Sequence, residues 1–532
     1  MASSFSAAAP GARTLADHVT MLGDRPAAPI QRVRGTTDVL PPEDARLRRL
    51  ESTLRDGFAS FGYQGIETPI LEPLELFLRK SGDEIIARMY SFSHWNRRLC
   101  LRPELTASVM RAFVDELQGR SLPLRLHYGG PMFRYERPSR GRSRQFTGVG
   151  IELVGASGAA ADAEVLYLAC AGLESVGITR YRLVVGHLGA ALQLLAQLGM
   201  SDHAQGLVLD QMEPIARGRV NPDAAVARVV DLLGGPIGNG VASETAAGLP
   251  PTLADLPPEQ ATAIAADILS RASLPVEGGA RQPGRIIQRL LAKARRPDPT
   301  DQVRAAFEFV AELHAAAAPP NRLERQLRPV LEKRGLSTAP LDEVTAALGL
   351  LEAYGPLSPS IEIEVDLSLA RGLRYYTGLV FEIYVDAVDG PLQVCGGGRY
   401  DDLVRALGGR EAVPACGFSF GLERVALAGA HEDGLAPRRV LVVGVTQEDH
   451  PAAIAVAREL RALSDVAVEQ DVRLRGVKSA LRYADRAGLD LVVLIGERER
   501  EEGVVVVRDM RSRAETRVSR GDVVDAVRQR LG

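Results

Sequence analysis

Arginine and glutamate recur in four stretches of otherwise apolar, extended-looking sequence, where solvated charges do not ordinarily gather. In LRPELTA, Arg102, Glu104 and Thr106 stand on alternate positions, so a strand aims all three to one face. A carboxylate beside a hydroxyl there holds an ammonium group; an internal salt bridge is the alternative. In FRYERPSRGRSRQFTGVGIE, Arg134 and Glu136 share a strand face, Arg137, Arg140, Arg142 and Arg144 follow, and Glu152 sits on a returning strand. Guanidinium forks suit phosphate oxygens bidentately, so this hairpin reads as a polyphosphate grip or as a solvated basic loop. In DLSLARGLRYYTGLVFEIY, Arg371 precedes Tyr375, Tyr376 and Thr377; taken alone, the tyrosines read as amphipathic core residues. In VCGGGRYDDLVRALGG, Gly396 to Gly398 allow a tight turn or a close backbone approach to a ligand. GFSFGLER then reads as a strand entering a helix, placing Arg424 near a helix N-terminus, where an anion is favoured.

The elements that position these residues are legible in outline. DARLRRLESTLRDGFASFG carries Leu47, Leu50, Leu54 and Phe58 at helical steps, and Gly62 stops it. QGIETPILEP is a short extended segment with Pro69 inside, a residue that belongs at an edge, a bulge or an interface. LPLRLHYGGPMFRYERP and RQFTGVGIELVG form two strands joined by the turn PSRGRS. Residues 191–345 are Ala- and Leu-rich with a helical period and Pro/Gly linkers. They form a mainly helical insertion, because strand chemistry resumes with IEIEVDLSLA, LVFEIYVDA and ACGFSFGLERVALA. After HEDGLAP, residues 437–532 alternate strand and helix patterns, which predicts a small α/β domain with right-handed crossovers. The organisation expected is therefore a flexible tail (1–30), a first core part (31–190), the insertion (191–345), a second core part (346–434) and the α/β domain. Asp17 and Asp24 argue against reading the tail as a transit peptide.

Composition narrows the function classes. The 532 residues predict about three or four domains. Lys plus Arg (64) against Asp plus Glu (67) leave a net charge of −3, which excludes binding by bulk positive charge but not by a local basic stripe. No apolar run approaches the roughly 20 residues of a membrane helix, so no membrane partner is expected. Cys100, Cys170, Cys395 and Cys416 lie far apart, and the eight histidines show no H-x-x-x-H spacing. A disulfide framework is therefore not expected, nor is a protein-held metal. No G-x-G-x-x-G opens a helix and no G-x-x-x-x-G-K-[ST] occurs, which disfavours dinucleotide and P-loop sites.

In this order the segments resemble the class II aminoacyl-tRNA synthetases and, within them, the histidyl-tRNA synthetase family. RGTTDVLPPE is similar to the family's opening, and GYQGIETPILEPLELF to class motif 1, with Pro69 at the dimer-interface strand. LRPELTA and FRYERPSRGRSRQF resemble the substrate strand and motif 2, ARGLRYYTG and GGGRYDDL the two histidine signatures, and GFSFGLER motif 3. IGEREREEGVVVVRDM resembles part of the anticodon-binding domain.

The resemblance covers 31–190 and 345–532 and implies an α/β (α+β) architecture: an antiparallel-sheet catalytic domain, a helical insertion and a C-terminal α/β anticodon-binding domain. It further implies a cytoplasmic homodimeric ligase that activates L-histidine with ATP, Mg²⁺ accompanying the nucleotide, and passes the acyl group to histidine tRNA. Arg134 then grips the α-phosphate, Arg424 the γ-phosphate, and Arg371 supplies charge at the α-phosphate, with Glu136 and Arg142 completing the ATP site. Glu104 and Thr106 hold the substrate ammonium, while Glu152, Tyr375 and Tyr376 complete the histidine pocket. The chain departs from the family at Thr147–Gly148, where FHQ is usual and Gly148 removes a glutamine contact, and at Arg374, which adds a cation beside Arg371. These departures keep two alternatives open: a non-catalytic regulatory subunit of ATP phosphoribosyltransferase, and a ligase acting on a small amine.

Overall fold

Leu47, Leu50, Leu54 and Phe58 line up on one side of a helix, and in the computed structural model they are the buried stripe of α1 (Glu43–Ser60). The structure describes residues 30–79, 83–137, 141–216, 218, 220–234, 299–370, 374–388, 390–430, 438–464 and 466–531. Arg371, Arg140, residues 1–29 of the tail, 235–298 of the inserted region and the break at 431–437 lie outside them. The chain divides into two units, Met1–His431 and Glu432–Gly532.

In the first unit α1 is followed by β1 (Gln64–Gly65), β2 (Leu71–Pro73), β3 (Ser91–His94), β4 (Arg97–Leu101) and helix α2 (Thr106–Ala112). The hairpin β5 (Leu124–Phe133) and β6 (Gln145–Val154) comes next, then α3 (Ala159–Ser175) and β7 (Tyr181–His187). Helices α4 (Leu188–Gln197), α5 (Asp202–Ala216), α6 (Pro222–Gly234), α7 (Pro299–Ala315) and α8 (Ala339–Ala353) separate β7 from β8 (Ile361–Val365). Strands β9 (Leu379–Ala387), β10 (Gly390–Arg399) and β11 (Ala415–Gly421) then lead into α9 (Leu422–Leu427).

Eight strands form one sheet in the order β1-β5-β6-β11-β10-β9-β7-β8. Its centre, from β5 to β7, is antiparallel, and only the edge pairs β1–β5 and β7–β8 are parallel. A parallel pair needs a long crossover, and the helical insertion is the crossover between β7 and β8. The pleat then sorts side chains. Val149, Ile151 and Leu153 of β6 enter the core shared with α1 and α3, while Tyr128, Met132, Tyr375, Tyr376 and Tyr400 gather in a second buried cluster. Glu152 alternates with Ile151 and Leu153 and so is aimed away from their face. A separate small sheet has the order β2-β4-β3; Pro69 precedes it, outside any strand.

The second unit alternates β12 (Arg438–Gly444), α10 (His450–Leu460), β13 (Val466–Gln470), α11 (Val477–Ala487), β14 (Leu491–Ile495), β15 (Val504–Asp509), β16 (Glu515–Ser519) and α12 (Val523–Leu531). The sheet order is β13-β12-β14-β15-β16; the first three strands are parallel and the last two antiparallel. Every residue of β14 is buried, as expected of a central strand covered on both faces.

Three local expectations are corrected. LRPELTA is not a strand beyond Leu101: Pro103 has no N–H for a ladder, and the Glu104 carboxylate accepts the Ala107 N–H (3.0 Å) in the first turn of α2. Arg102 therefore parts from Glu104 and Thr106, bonding the carbonyls of Thr68 (2.6 Å) and Pro131 (2.8 Å) as a buried structural tie. Strand β5 ends at Phe133, so Arg134 and Glu136 leave the hairpin in a tight bend in which the Glu136 N–H bonds the Arg134 carbonyl (2.8 Å). Gly396 to Gly398 form no turn but lie inside β10, where a Cβ on Gly397 would collide with the Gly417 carbonyl across the ladder.

Candidate active site

Strands β5, β6, β9, β10 and β11 and the start of α2 surround a cavity of about 290 Å³ in the first unit. Its wall includes Glu104, Thr106, Arg134, Glu136, Arg142, Tyr375, Tyr376 and Arg424. Of the expected site residues, Glu152 lies fully buried on β6 and Arg371 falls outside the described residues.

On the wall, Arg134, Arg142 and Arg424 are cationic. Arg134 donates from Nε to the Pro103 carbonyl (2.8 Å), and its guanidinium lies over the Phe146 ring, 5.4 Å from the centroid. Arg424 donates to the carbonyls of Gly141 (3.0 Å) and Gln393 (3.1 Å). Helix α9 has only six residues, too short for the helix-terminus field expected of it; the anion-binding power here is that of the guanidinium itself. Burial, then the neighbouring Arg142, push the Arg424 pKa down, with Arg134 adding to the effect. Like charges held together out of water are relieved by an anion, and a polyphosphate carries several. Glu136 faces this cluster, 3.5 Å from Arg88 and 4.0 Å from Arg142.

Two carboxyls are buried at the site, Glu104 on the wall and Glu152 behind Gly417. Burial raises Glu104 to about 7, although the Ala107 N–H and the charge of Arg134 pull it down. Glu152 is held well above the usual carboxylate range by burial, reinforced by the charge of Glu104 and opposed by the hydroxyls of Thr106 and Tyr128. Its Oε2 accepts the Tyr400 hydroxyl, whereas Oε1 is buried without a hydrogen-bond partner at normal geometry. An unmet buried acceptor costs roughly 1–3 kcal/mol, a cost that a ligand N–H removes. Gly417 stands opposite Glu152 on β11, and a Cβ there would collide with the carboxyl, so the glycine opens the space that the acid fills. Tyr375, Tyr376 and Tyr400 pack as a trio, with the ring of Tyr375 4.8 Å from that of Tyr376 and 5.5 Å from that of Tyr400.

Sequence reasoning missed several residues on the wall or packed against it. Tyr400 stands within GGGRYDDL, but a role for it follows only from the reach of β10 to Glu152 two strands away. Tyr128 could have been found from its pairing with Gly150, an aromatic opposite a glycine in the predicted hairpin. Glu382 accepts from Gln393 (2.6 Å) and from the Tyr384 hydroxyl, and Glu423 accepts the Thr147 N–H (2.9 Å); both carboxylates line the cavity.

The two departures take on a different meaning in the fold. The space beside Gly148 is filled by Met132, whose methyl group a Cβ at 148 would strike, so the absent glutamine leaves no void. Arg374 does not add a bare cation to the pocket: its Nη2 is 2.6 Å from Asp210 of α5.

A model of the histidyl-tRNA synthetase family matches residues 35–221 and 286–425 of the chain. The chain belongs to the histidyl-tRNA synthetase family. An anticodon-binding-domain model matches residues 439–530, nearly the whole second unit. The histidine--tRNA ligase of Methanocorpusculum labreanum is 33% identical over 501 residues, spanning 94% of this chain and 98% of that protein. That of Methanocaldococcus jannaschii is 31% identical over 483 residues, 90% of this chain and 95% of that protein. Among solved structures, a histidyl-tRNA synthetase from Nostoc sp. aligns with a TM-score of 0.58 at 20% identity, covering 95% of this chain and all (100%) of that one. An ATP phosphoribosyltransferase regulatory subunit/histidyl-tRNA synthetase from Bacillus halodurans aligns equally well, at 0.58 and 21% identity over 88% of this chain and 99% of that one. The last two establish the shared fold: a synthetase sheet carries either use.

Proposed function

We propose that this protein is a histidine–tRNA ligase that activates L-histidine with ATP and transfers the histidyl group to the 3′ end of its tRNA. The observation that carries this reading is Glu152, a fully buried carboxyl whose Oε1 has no hydrogen-bond partner, beside Tyr400 and against Gly417 of the wall of a cavity that also carries Arg134, Arg142 and Arg424. An imidazole N–H donating to Glu152 meets that oxygen, and selection by such a bond rejects isosteres lacking the N–H far better than shape does. Glu104, ionised, and the Thr106 hydroxyl hold the α-ammonium, while Tyr375 and Tyr376 wall the ring. Arg134, Arg142 and Arg424 take the phosphates.

With both substrates so held, a histidine carboxylate oxygen attacks the α-phosphorus. The new P–O bond forms as the bond to the bridging oxygen breaks, and pyrophosphate leaves with that electron pair. Charge builds on the phosphoryl oxygens as this happens, and preplaced guanidinium groups stabilise it without reorganising. A terminal ribose hydroxyl of the tRNA then attacks the acyl carbon and AMP departs. Glu382 and Glu423 on the wall are the carboxylates that would hold a Mg²⁺ ion brought in with the nucleotide, which would supply neutralisation of phosphate charge.

The exposed Ile70, Leu71, Phe92 and Trp95, on and beside the small sheet, support a homodimer formed through that face. No helix among the described residues is long and apolar enough to cross a membrane. Thr147 echoes the FTQ that regulatory subunits of ATP phosphoribosyltransferase tend to carry after motif 2, whereas the match to an anticodon-binding domain over 439–530 favours charging of tRNA. Histidine-dependent ATP–pyrophosphate exchange decides between them: exchange is expected in the native protein, and its absence at saturating histidine refutes the ligase. Glu152→Gln should lower kcat/KM for histidine in that assay by about 100-fold or more, the scale of an unpaired buried polar contact.

A further inference from the structure

The histidine-signature residues on the cavity wall are held from outside the sheet. Helix α5 of the insertion brings Asp210 to Arg374 (2.6 Å), immediately before Tyr375 and Tyr376. Gly206 lies one turn earlier on α5, and a Cβ built there would come within 3.0 Å of the Arg374 guanidinium, tighter than ordinary contact. The missing side chain is thus part of how the arginine fits. One turn beyond Asp210, the same helix presents Glu213 to the cavity.

Helix α7 does the same on the other side of the signature. His314 Nδ1 lies 2.8 Å from the Asp366 carboxylate at the end of β8, and Val310 shares a buried cluster with Leu369, Tyr375 and Tyr376. A surface ion pair contributes little, but Asp210 and Arg374 are mostly shielded from solvent, with side chains 11% and 21% exposed. Removing one partner there strands the other charge, so the pair specifies a position as well as adding stability.

We propose that the insertion is a positioning device for the active site: Asp210, through Arg374, sets the placement of Tyr375 and Tyr376 against the substrate, and His314–Asp366 anchors the other flank. A misplacement of about 1 Å at a reacting site costs up to 100-fold in rate, so a contact remote from the chemistry can govern turnover. Asp210 and Arg374 act as positioning residues and touch no reacting atom in this scheme. The effect on turnover rests on the ligase reading; the mechanical link does not, and the test separates them.

Full-length Asp210→Ala, Arg374→Ala, the double variant and Gly206→Ala are compared with Glu324→Ala, which breaks an exposed ion pair of the same insertion. Two readouts are taken on each: hydrogen–deuterium exchange of peptides from 374–388, and kcat and KM for ATP and histidine in pyrophosphate exchange. The expected result is faster amide exchange in 374–388 and a kcat lower by about tenfold or more, with KM for ATP within about twofold. The double variant should be no worse than the worse single one, because both remove one contact. Gly206→Ala shifts the arginine without removing charge and should reproduce the kcat loss in part; Glu324→Ala should change nothing. Unchanged amide protection in 374–388, unchanged kcat despite lost protection, or losses that simply add would each overturn the proposal. If the native protein shows no histidine-dependent exchange, the ligase reading fails, and amide protection alone still decides whether the insertion holds this segment.

Discussion

Glu104 exposes the cost of building a binding site from buried acids. Its carboxyl rises from an ordinary value of 4.5 to about 7 because burial disfavours the charged form more than its neighbours restore it. A carboxyl raised on folding favours the native state only while protonated. Its stabilising contribution is full below about pH 4.5, declines as pH rises, and is lost above about pH 7. Glu104→Gln should therefore leave stability nearly unchanged at pH 4.5 and raise it by up to about 3 kcal/mol at pH 8, read from denaturant midpoints at the two values. The same substitution should abolish histidine-dependent exchange, since a neutral amide cannot pair with the ammonium. A variant equally unstable at both values would refute the assignment of burial as the cause. Glu104 and Glu152 were legible as candidates from their types amid apolar sequence. Their raised pKa values were not, because those follow from burial, and for Glu152 also from the charge of Glu104, which only the fold supplies.

At the scale of elements, α1 and the β5–β6 hairpin show where sequence periodicity suffices. Leu47, Leu50, Leu54 and Phe58 recur at helical steps, and all four are buried in the core that backs β6. Leu54→Ala should cost about 2–5 kcal/mol by opening a cavity in that core. Because β6 carries Glu152, exchange activity should fall at a lower temperature than in the native protein, and thermal denaturation with parallel activity measurements checks both. Periodicity failed where side chains overrode backbone pattern. Arg102, Glu104 and Thr106 alternate as in a strand, yet Pro103 denies the ladder a donor and Glu104 spends its carboxylate on the first turn of α2. The glycine run at 396–398 allowed a turn or a close approach to a ligand; within β10 there is no turn, and the close approach at Gly397 is to the Gly417 carbonyl across the antiparallel ladder.

The whole molecule divides its labour between two units, one matching the histidyl-tRNA synthetase model and the other the anticodon-binding model. On the proposed reading, adenylate formation uses only the cavity of the first unit, whereas charging needs a tRNA held along its length. A chain ending at His431 should therefore keep histidine-dependent pyrophosphate exchange within about tenfold and lose tRNA charging by a much larger factor. Equal loss of both would show that the first unit is not self-sufficient. The near-zero net charge accords with this division, since recognition then rests on local arrangement rather than on a bulk field. By itself the sequence determined the kinds of chemistry available, the order of the motifs and the boundaries of periodic elements. All of these are local properties of residue type and spacing. Only the tertiary structure decided that Tyr400 meets Glu152 across 248 positions and Asp210 meets Arg374 across 164. Such contacts depend on which strands become neighbours and on where a crossover returns, and no short-range pattern encodes either.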